Sequence, residues 1–173
     1  MSIDTIEEQA APVYPLSLRL EGRRAVVVGG GSVAVRWVAG LLAAGADVLV
    51  VAPDLSPSLA DLVSRELIST RPGRYAADDL RDAWLVLACT DRPEVNAAVA
   101  ADAERSRLWC VRADDALASA AWMPAVGRAD GVTLAVNAGR DPRRAAALRD
   151  RCLRTVRDAP RRPERAQSNQ ARG

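Results

Sequence analysis

Apolar residues follow two different spacings along this chain, and the two spacings alternate. Short and nearly continuous apolar runs are typical of buried β-strands, and they occur at "RRAVVVG", "DVLVVAP", "AWLVLAC" and "LWCVR", with a weaker run at "LISTR". Apolar residues spaced three or four positions apart predict helices, and they occur in "SVAVRWVAGLLAAGA", "SPSLADLVSREL" and "RPEVNAAVAADAERS". This order predicts an α/β fold in which a doubly wound parallel sheet occupies residues 14–115.

After Asp115 the pattern changes. Two strands are expected in "AAWMPAVGR" and "GVTLAVNAG", joined by a turn at "ADG", and a helix with Asp141 as its N-cap follows. Residues 116–157 are therefore predicted to form a small α+β region, whose apolar strands need a partner. We expect a flexible leader at 1–13 and a disordered Arg/Pro-rich tail at 158–173.

The first strand runs directly into Gly29-Gly30-Gly31, and a helix begins at once. This G-x-G-x-x-A pattern between strand and helix is the context of a Rossmann-like dinucleotide site, where the backbone approaches a pyrophosphate at the start of the helix. We expect the cofactor to contact these glycines together with Ser32 and Val33. The alternative is a tight strand–helix turn that binds nothing.

Two further loops are expected at the same site. Pro53 and Asp54 follow the second strand, where an acidic residue binds the ribose hydroxyls of NAD, and no Arg stands there to favour NADP. Asp54 could instead cap the next helix. Thr90 and Asp91 end a later strand and are expected beside the nicotinamide, with a capping role for Asp91 as the alternative.

Composition excludes several functions. The 173 residues contain no His, which excludes Ser-His-Asp and Cys-His nucleophile systems and His-based zinc sites, and we predict no metal site. Three cysteines without C-x-x-C spacing indicate free thiols in a reducing cytoplasm. We expect no membrane span, and no nucleic-acid binding because the basic tail lacks aromatic residues.

Several stretches together resemble a known family, the N-terminal module of siroheme synthases. They are "YPLSLRLEGRRAVVVGGGSVAVRWVAGLLAAGADVLVVAP", "LVLACTDRPEVNAAVAADA", "WCVRADD" and the Trp-Met-Pro stretch followed by "VTLAVNAG". The resemblance runs from about Tyr14 to about Arg157. It implies a homodimeric precorrin-2 dehydrogenase that uses NAD to form sirohydrochlorin in siroheme biosynthesis, and in some members a sirohydrochlorin ferrochelatase.

The resemblance also implies site residues. The acid–base role falls on Asp114, with Asp115 as a close second, and a carboxylate at the end of a sheet strand suits removal of a proton beside a nicotinamide. Both could instead cap a turn. We expect Arg112, Asn137, Gly139 and Arg140 to bind the polycarboxylate substrate, unless the arginines are only solvated surface residues.

Two functions from other classes stay open at this stage. A regulatory module would bind NAD or NADH through the same glycine turn without catalysis. A structural or interaction domain would keep the turn as a vestige and would bind an acidic partner through its tail.

Overall fold

The apolar runs form a five-stranded sheet. The computed structural model describes residues 13–139 and 141–159, and all neighbouring strands in this sheet pair in parallel. The strands are β1 (Arg24–Val28), β2 (Asp47–Ala52), β3 (Ser69–Pro72), β4 (Leu85–Ala88) and β5 (Trp109–Arg112). Their spatial order is β3-β2-β1-β4-β5, so the predicted doubly wound parallel sheet is confirmed.

Helices connect these strands where the three- and four-residue spacing predicted them. They are α1 (Ser32–Leu42), α2 (Pro57–Ser64) and α3 (Pro93–Arg105). Helix α2 ends earlier than its apolar pattern, because Glu66 takes a left-handed conformation with φ of 55°. A short 3₁₀ turn at Ala77–Leu80 was not predicted, and buried Asp79 holds it by accepting a hydrogen bond from the Ala76 amide at 2.8 Å.

The strand order identifies the edge of the sheet at which folds of this kind bind their ligands. The direction in which strands are added reverses between β1 and β4, which are neighbours although two strands separate them in sequence. The loops after β1 and β4 therefore leave the same edge on opposite sides of a crevice. The core around them is mainly Val, Leu and Ala, as the scarcity of aromatic residues implies.

A second compact unit begins at Ala116. It contains an antiparallel pair, β6 (Ala125–Ala129) and β7 (Val132–Val136), followed by α4 (Pro142–Asp158). Asp130 and Gly131 join the strands with φ of 49° and 77°, as a two-residue hairpin with matching twist requires. The predicted N-cap of α4 is confirmed, because the Asp141 carboxylate accepts a hydrogen bond from the Arg144 amide at 2.8 Å.

The predicted leader and tail lie almost wholly outside the described residues and stay predictions. Arg140 lies outside them as well. At the other boundary, the prediction that Asp158 belongs to the tail is wrong, because it is the last residue of α4.

Gly127 sets how closely α4 packs on the hairpin. A Cβ added there would lie 2.4 Å from Cδ1 of Leu153 and 3.0 Å from Cδ of Arg149. We expect Gly127→Ala to displace Leu153 and to lower the free energy of unfolding of the second unit by about 1–3 kcal/mol. Hydrogen exchange of the α4 amides measures this loss. Gly40→Ala, in α1, is a suitable control because a Cβ there meets open space, whereas Gly131→Ala is unsuitable because Gly131 has a positive φ. Unchanged α4 protection in Gly127→Ala would contradict the packing argument.

Candidate active site

The turn after β1 requires glycine at its first position for an internal reason. Gly29 has φ of +129°, and a Cβ there would lie 2.7 Å from the carbonyl oxygen of Cys89. The Gly29 amide donates a hydrogen bond to the Val51 carbonyl at 2.9 Å. The ends of β1, β2 and β4 therefore meet at a point that leaves no room for a side chain.

Gly30 brings the loop after β2 to the same point. A Cβ at Gly30 would lie only 2.0 Å from the carbonyl oxygen of Asp54, and the Ser56 amide donates to the Gly30 carbonyl at 2.9 Å. Pro53 and Asp54 are both exposed beside this contact. Ser56 is the N-cap of α2 but makes no capping hydrogen bond, and its buried Oγ has no partner among the described residues.

Gly31 differs from the other two glycines because no contact among the described residues requires glycine there. Its φ is −88°, and no atom of those residues lies within 4 Å of a Cβ added there. As in every α-helix, the first-turn amides of Ser32 and Val33 lack an intrahelical acceptor, and Gly31, the N-cap of α1, has no side chain that could accept from them. Ala34 is fully buried and lets α1 pack against the sheet.

This arrangement fits a diphosphate. The amides at a helix start bind anions, and the open space at Gly31 allows a ligand to reach the backbone there. The residues present therefore match a dinucleotide cofactor on structural grounds: the first two glycines build the turn, and the third keeps its outer side open.

The turn after β4 is held from inside by Asn96 on α3. Its Oδ1 accepts hydrogen bonds from the Thr90 amide at 3.0 Å and the Thr90 hydroxyl at 2.8 Å, and its Nδ2 donates to the Thr90 carbonyl at 3.1 Å. Asp91 is exposed, and the alternative capping role for it is wrong, because the N-cap of α3 is Arg92 and the Arg92 amide donates to the Thr90 hydroxyl at 3.2 Å.

Sequence reasoning missed Asn96. The signal was available, since Asn96 occupies the same helix face as Val99 and Ala103, and all three are fully buried. A polar residue on an otherwise apolar face needs hydrogen-bond partners inside the protein.

Asp114 and Arg112 form an ion pair after β5. The Arg112 guanidinium donates to the two carboxylate oxygens of Asp114, at 3.3 Å from Nε and 2.7 Å from Nη2, and the two side chains are 11% and 24% exposed. This hydrogen bonding is the main cause that lowers the pKa of Asp114 below its usual value, although partial burial opposes it. The guanidinium of Arg112 therefore has a partner within the protein, and its predicted binding of the substrate stays a prediction.

Two thiols lie in the same unit, and neither is activated. Cys89 and Cys110 are buried, and burial raises their pKa values to about 12 and about 11. Both stay protonated at neutral pH and are poor nucleophiles. Asp114 is therefore the better candidate for proton transfer at this sheet edge.

The remaining predicted substrate residues belong to the second unit. Asn137 and Gly139 are exposed after β7, and Gly139 has φ of +59° with open space around its Cα. Over the described ranges, no cluster of three or more Cys, Asp or Glu side chains could hold a metal ion. No helix within those ranges has the length and apolar content that crossing a bilayer requires.

Comparison with known proteins agrees with this geometry. A protein family described as "Putative NAD(P)-binding" matches residues 16–125, which include the glycine turn, Thr90 and Asp114. The chain belongs to this family. Membership covers the whole sheet and ends at the start of the second unit's hairpin.

Two relatives with a named function show a more specific similarity, to siroheme synthases. The chain is 46% identical over 126 residues to a siroheme synthase of Chromobacterium violaceum and 39% identical over 125 residues to siroheme synthase 3 of Aeromonas hydrophila. These matches cover 73% and 72% of this chain but only 27% of each relative. The resemblance to the N-terminal module of siroheme synthases is confirmed by them.

The solved structure of "SirC, precorrin-2 dehydrogenase" has the same fold. Its TM-score is 0.73 at 24% identity, and the match covers 83% of this chain and 71% of that one.

The open side of Gly31 gives a test that separates folding from binding. We expect Gly31→Ala to fold normally and to weaken NAD⁺ binding at least about tenfold, because the methyl group takes the space above the helix-start amides. Gly40→Ala is a matched control within α1, since its Cβ also meets open space. Gly30→Ala is expected to lose stability itself, because of the Asp54 carbonyl. Calorimetry with NAD⁺ and thermal unfolding measure the two effects, and equal affinity in Gly31→Ala and the original chain would contradict this reading.

Proposed function

We propose that this chain is an NAD-dependent precorrin-2 dehydrogenase that forms sirohydrochlorin in siroheme biosynthesis. One observation carries the proposal: an open, uncapped glycine turn follows β1 and a charged carboxylate, Asp114, follows β5, and these two strands flank β4 with their carboxyl ends at the same sheet edge. The siroheme synthases among its relatives and the precorrin-2 dehydrogenase that shares its fold supply the substrate class. Because the chain spans about a quarter of those relatives, the activity is a proposal for this module alone.

NAD would be held by the turns after three strands. The amides of Ser32 and Val33, with the open backbone of Gly31, would receive the diphosphate. Asp54 follows β2 and would bind the ribose hydroxyls from the loop, and no Arg stands there to receive a 2′-phosphate. Thr90 and Asp91 would line the nicotinamide side. NAD is therefore proposed over NADP.

The reaction removes a hydride and a proton from precorrin-2. Bound NAD⁺ would supply the acceptor for the hydride. The chain must supply a base for the proton, and the Asp114 carboxylate does so in this proposal. Its pKa lies below the usual carboxyl value because Arg112 stabilises the charged form, so the base is fully deprotonated at neutral pH.

The roles of the other residues follow from these contacts. Arg112 orients Asp114 and keeps it charged. Substrate binding by Asn137, Gly139 and Arg140 stays a prediction, and so does ferrochelatase activity. We propose that residues 14–115 are the NAD-binding domain and 116–157 the dimerisation and active-site region. Three free cysteines suit a reducing cytoplasm, where we place the enzyme.

Replacing the carboxylate tests the assignment. We expect Asp114→Asn to bind NAD⁺ as the original chain does but to lower turnover of precorrin-2 at least about 100-fold, because the amide cannot accept the proton. Asp115→Asn is the matched control and should retain turnover. The measurement is NADH absorbance with the sirohydrochlorin spectrum, using precorrin-2 generated in situ.

Each failure has a distinct meaning. Normal turnover in Asp114→Asn would show that the base is wrongly assigned. Binding of NAD⁺ without any turnover in the original chain would indicate a regulatory module instead. No binding of either redox form would indicate an interaction domain.

We also propose that the chain is a homodimer through its second unit. Among the described residues of that unit only Ala145 and Leu153 are buried apolar side chains, too few for a stable core. Five large apolar side chains are exposed there, namely Leu117, Met123, Val126, Val132 and Leu148. A second copy would cover such a surface.

A charge on the outer face of the hairpin should break this dimer. Val126 is 38% exposed, and we expect Val126→Arg to be monomeric because its charge would be buried unpaired in the interface. Leu67→Arg, at a 43% exposed position in the first unit, is the control and should stay dimeric. Sedimentation measures the mass against 18.4 kDa per chain. A monomeric original chain would refute the proposal.

A further inference from the structure

We propose that Asn96 is a positioning residue for the nicotinamide half of the cofactor, which it affects through the turn after β4 without touching the ligand. The inference rests on the proposed function for the identity of the ligand. For the position of the turn it rests on hydrogen bonds within the first unit.

The strand order indicates which half of a dinucleotide meets this turn. The diphosphate is proposed at the start of α1, after β1, and the adenosine ribose at Asp54, after β2. Strand β4 lies on the other side of β1 from β2. Because a dinucleotide in such folds lies across the crevice where the strand order reverses, its second half extends toward β4. The turn after β4 is therefore expected beside the nicotinamide.

The end of β4 is joined directly to the glycine turn. The Cys89 amide donates to the Val28 carbonyl at 2.9 Å, and the Cys89 carbonyl oxygen lies 2.7 Å from the place that a Cβ of Gly29 would take. Thr90 is the next residue, so the turn after β4 starts from a fixed point beside the diphosphate site. The sheet does not determine the direction that the chain takes from there.

Asn96 determines that direction. Its side chain is fully buried, and three hydrogen bonds of 2.8 to 3.1 Å join it to the amide, hydroxyl and carbonyl of Thr90. Its own amide donates to the Arg92 carbonyl at 3.1 Å, at the start of α3. The turn after β4 and the first turn of α3 are thus bonded into one unit through this side chain.

These bonds occupy the polar groups of Thr90. Its amide and carbonyl are both paired with Asn96. Its hydroxyl accepts from the Arg92 amide at 3.2 Å, and its own hydrogen can reach Oδ1 of Asn96 at 2.8 Å or the Arg92 carbonyl at 3.1 Å. Thr90 would therefore serve the nicotinamide through the shape of the turn, and Asn96 maintains that shape.

An apolar side chain at position 96 would keep the packing but lose the turn. Leucine is similar in size to asparagine and would suit the buried face that Val99 and Ala103 share with it. It would leave the Thr90 amide and carbonyl without the partners that Asn96 supplies, so the turn would rearrange to satisfy them. The helix-start amides of α1 and the loop after β2 do not depend on these bonds. The expected defect is therefore confined to the nicotinamide half.

The test compares Asn96→Leu with Val99→Ala in the full chain, using NADH and ADP-ribose as ligands. ADP-ribose keeps the adenosine, the diphosphate and the second ribose but has no nicotinamide ring. By calorimetry we expect Asn96→Leu to weaken NADH binding about fivefold, the cost of a lost buried hydrogen bond, and to leave ADP-ribose binding unchanged. Val99→Ala perturbs the same buried face of α3 without removing a Thr90 bond, so it should leave the ratio of the two affinities unchanged.

Hydrogen exchange supplies a second measurement without any ligand. The Thr90 amide should exchange faster in Asn96→Leu, because its acceptor is gone, and should keep its protection in Val99→Ala. Unchanged protection in Asn96→Leu would show that Asn96 does not hold the turn.

The outcomes separate this inference from the proposed function. Equal weakening of both ligands in Asn96→Leu, or unchanged NADH binding, would overturn the positioning role. If the original chain binds both ligands but does not turn over precorrin-2, the proposed function fails and the affinity ratio still decides this inference. An original chain that binds neither ligand refutes both.

A second variant serves if Asn96→Leu does not fold. Asn96→Asp can still accept from the Thr90 amide and hydroxyl but cannot donate to the Thr90 carbonyl. It should weaken NADH binding by a smaller factor and again leave ADP-ribose binding unchanged. Unchanged NADH binding in this variant would overturn the inference.

Discussion

The close approach of three backbone segments at the end of β1 is the constraint on which the rest of this site depends. Gly29 lies against the Cys89 carbonyl and Gly30 against the Asp54 carbonyl, at separations that exclude any side chain. These contacts bring the loops after β1, β2 and β4 together at one edge of the sheet. The turn that they create leaves Gly31 and the start of α1 facing outward. A cofactor site and its neighbouring loops are thus products of the same tight packing.

The sheet could be predicted from the sequence because its strands are buried on both faces. Val26, Val27 and Val28 are all buried, and a continuous apolar run of this kind has few other structural interpretations. The glycine turn was predictable for a related reason, since a strand that runs straight into glycines and a helix has a limited set of geometries. The hairpin turn at Asp130 and Gly131 followed from local turn chemistry.

The contacts around Asp114 could not be predicted in the same way. All basic residues of this chain are arginines, so the presence of an arginine at position 112 did not by itself indicate a role. The partner of Arg112 depends on how the segment after β5 turns. Asn96 was missed because its partner, Thr90, lies on a loop six residues earlier, and the helix pattern does not show that this loop folds back against α3. A long polar side chain can hydrogen-bond to any of several neighbours, and the spacing of apolar residues along the chain does not determine which one.

Helix α1 has a further consequence because its N-cap is a glycine. A serine or aspartate at that position would stabilise the helix by roughly a few tenths of a kcal/mol, and this chain lacks that contribution. A ligand anion can supply the missing acceptors, so the first turn of α1 gains its full stability only when the ligand is bound. The local opening of this helix would then follow the concentration of free dinucleotide, and the same amides that recognise the ligand would report its level as resistance to unfolding.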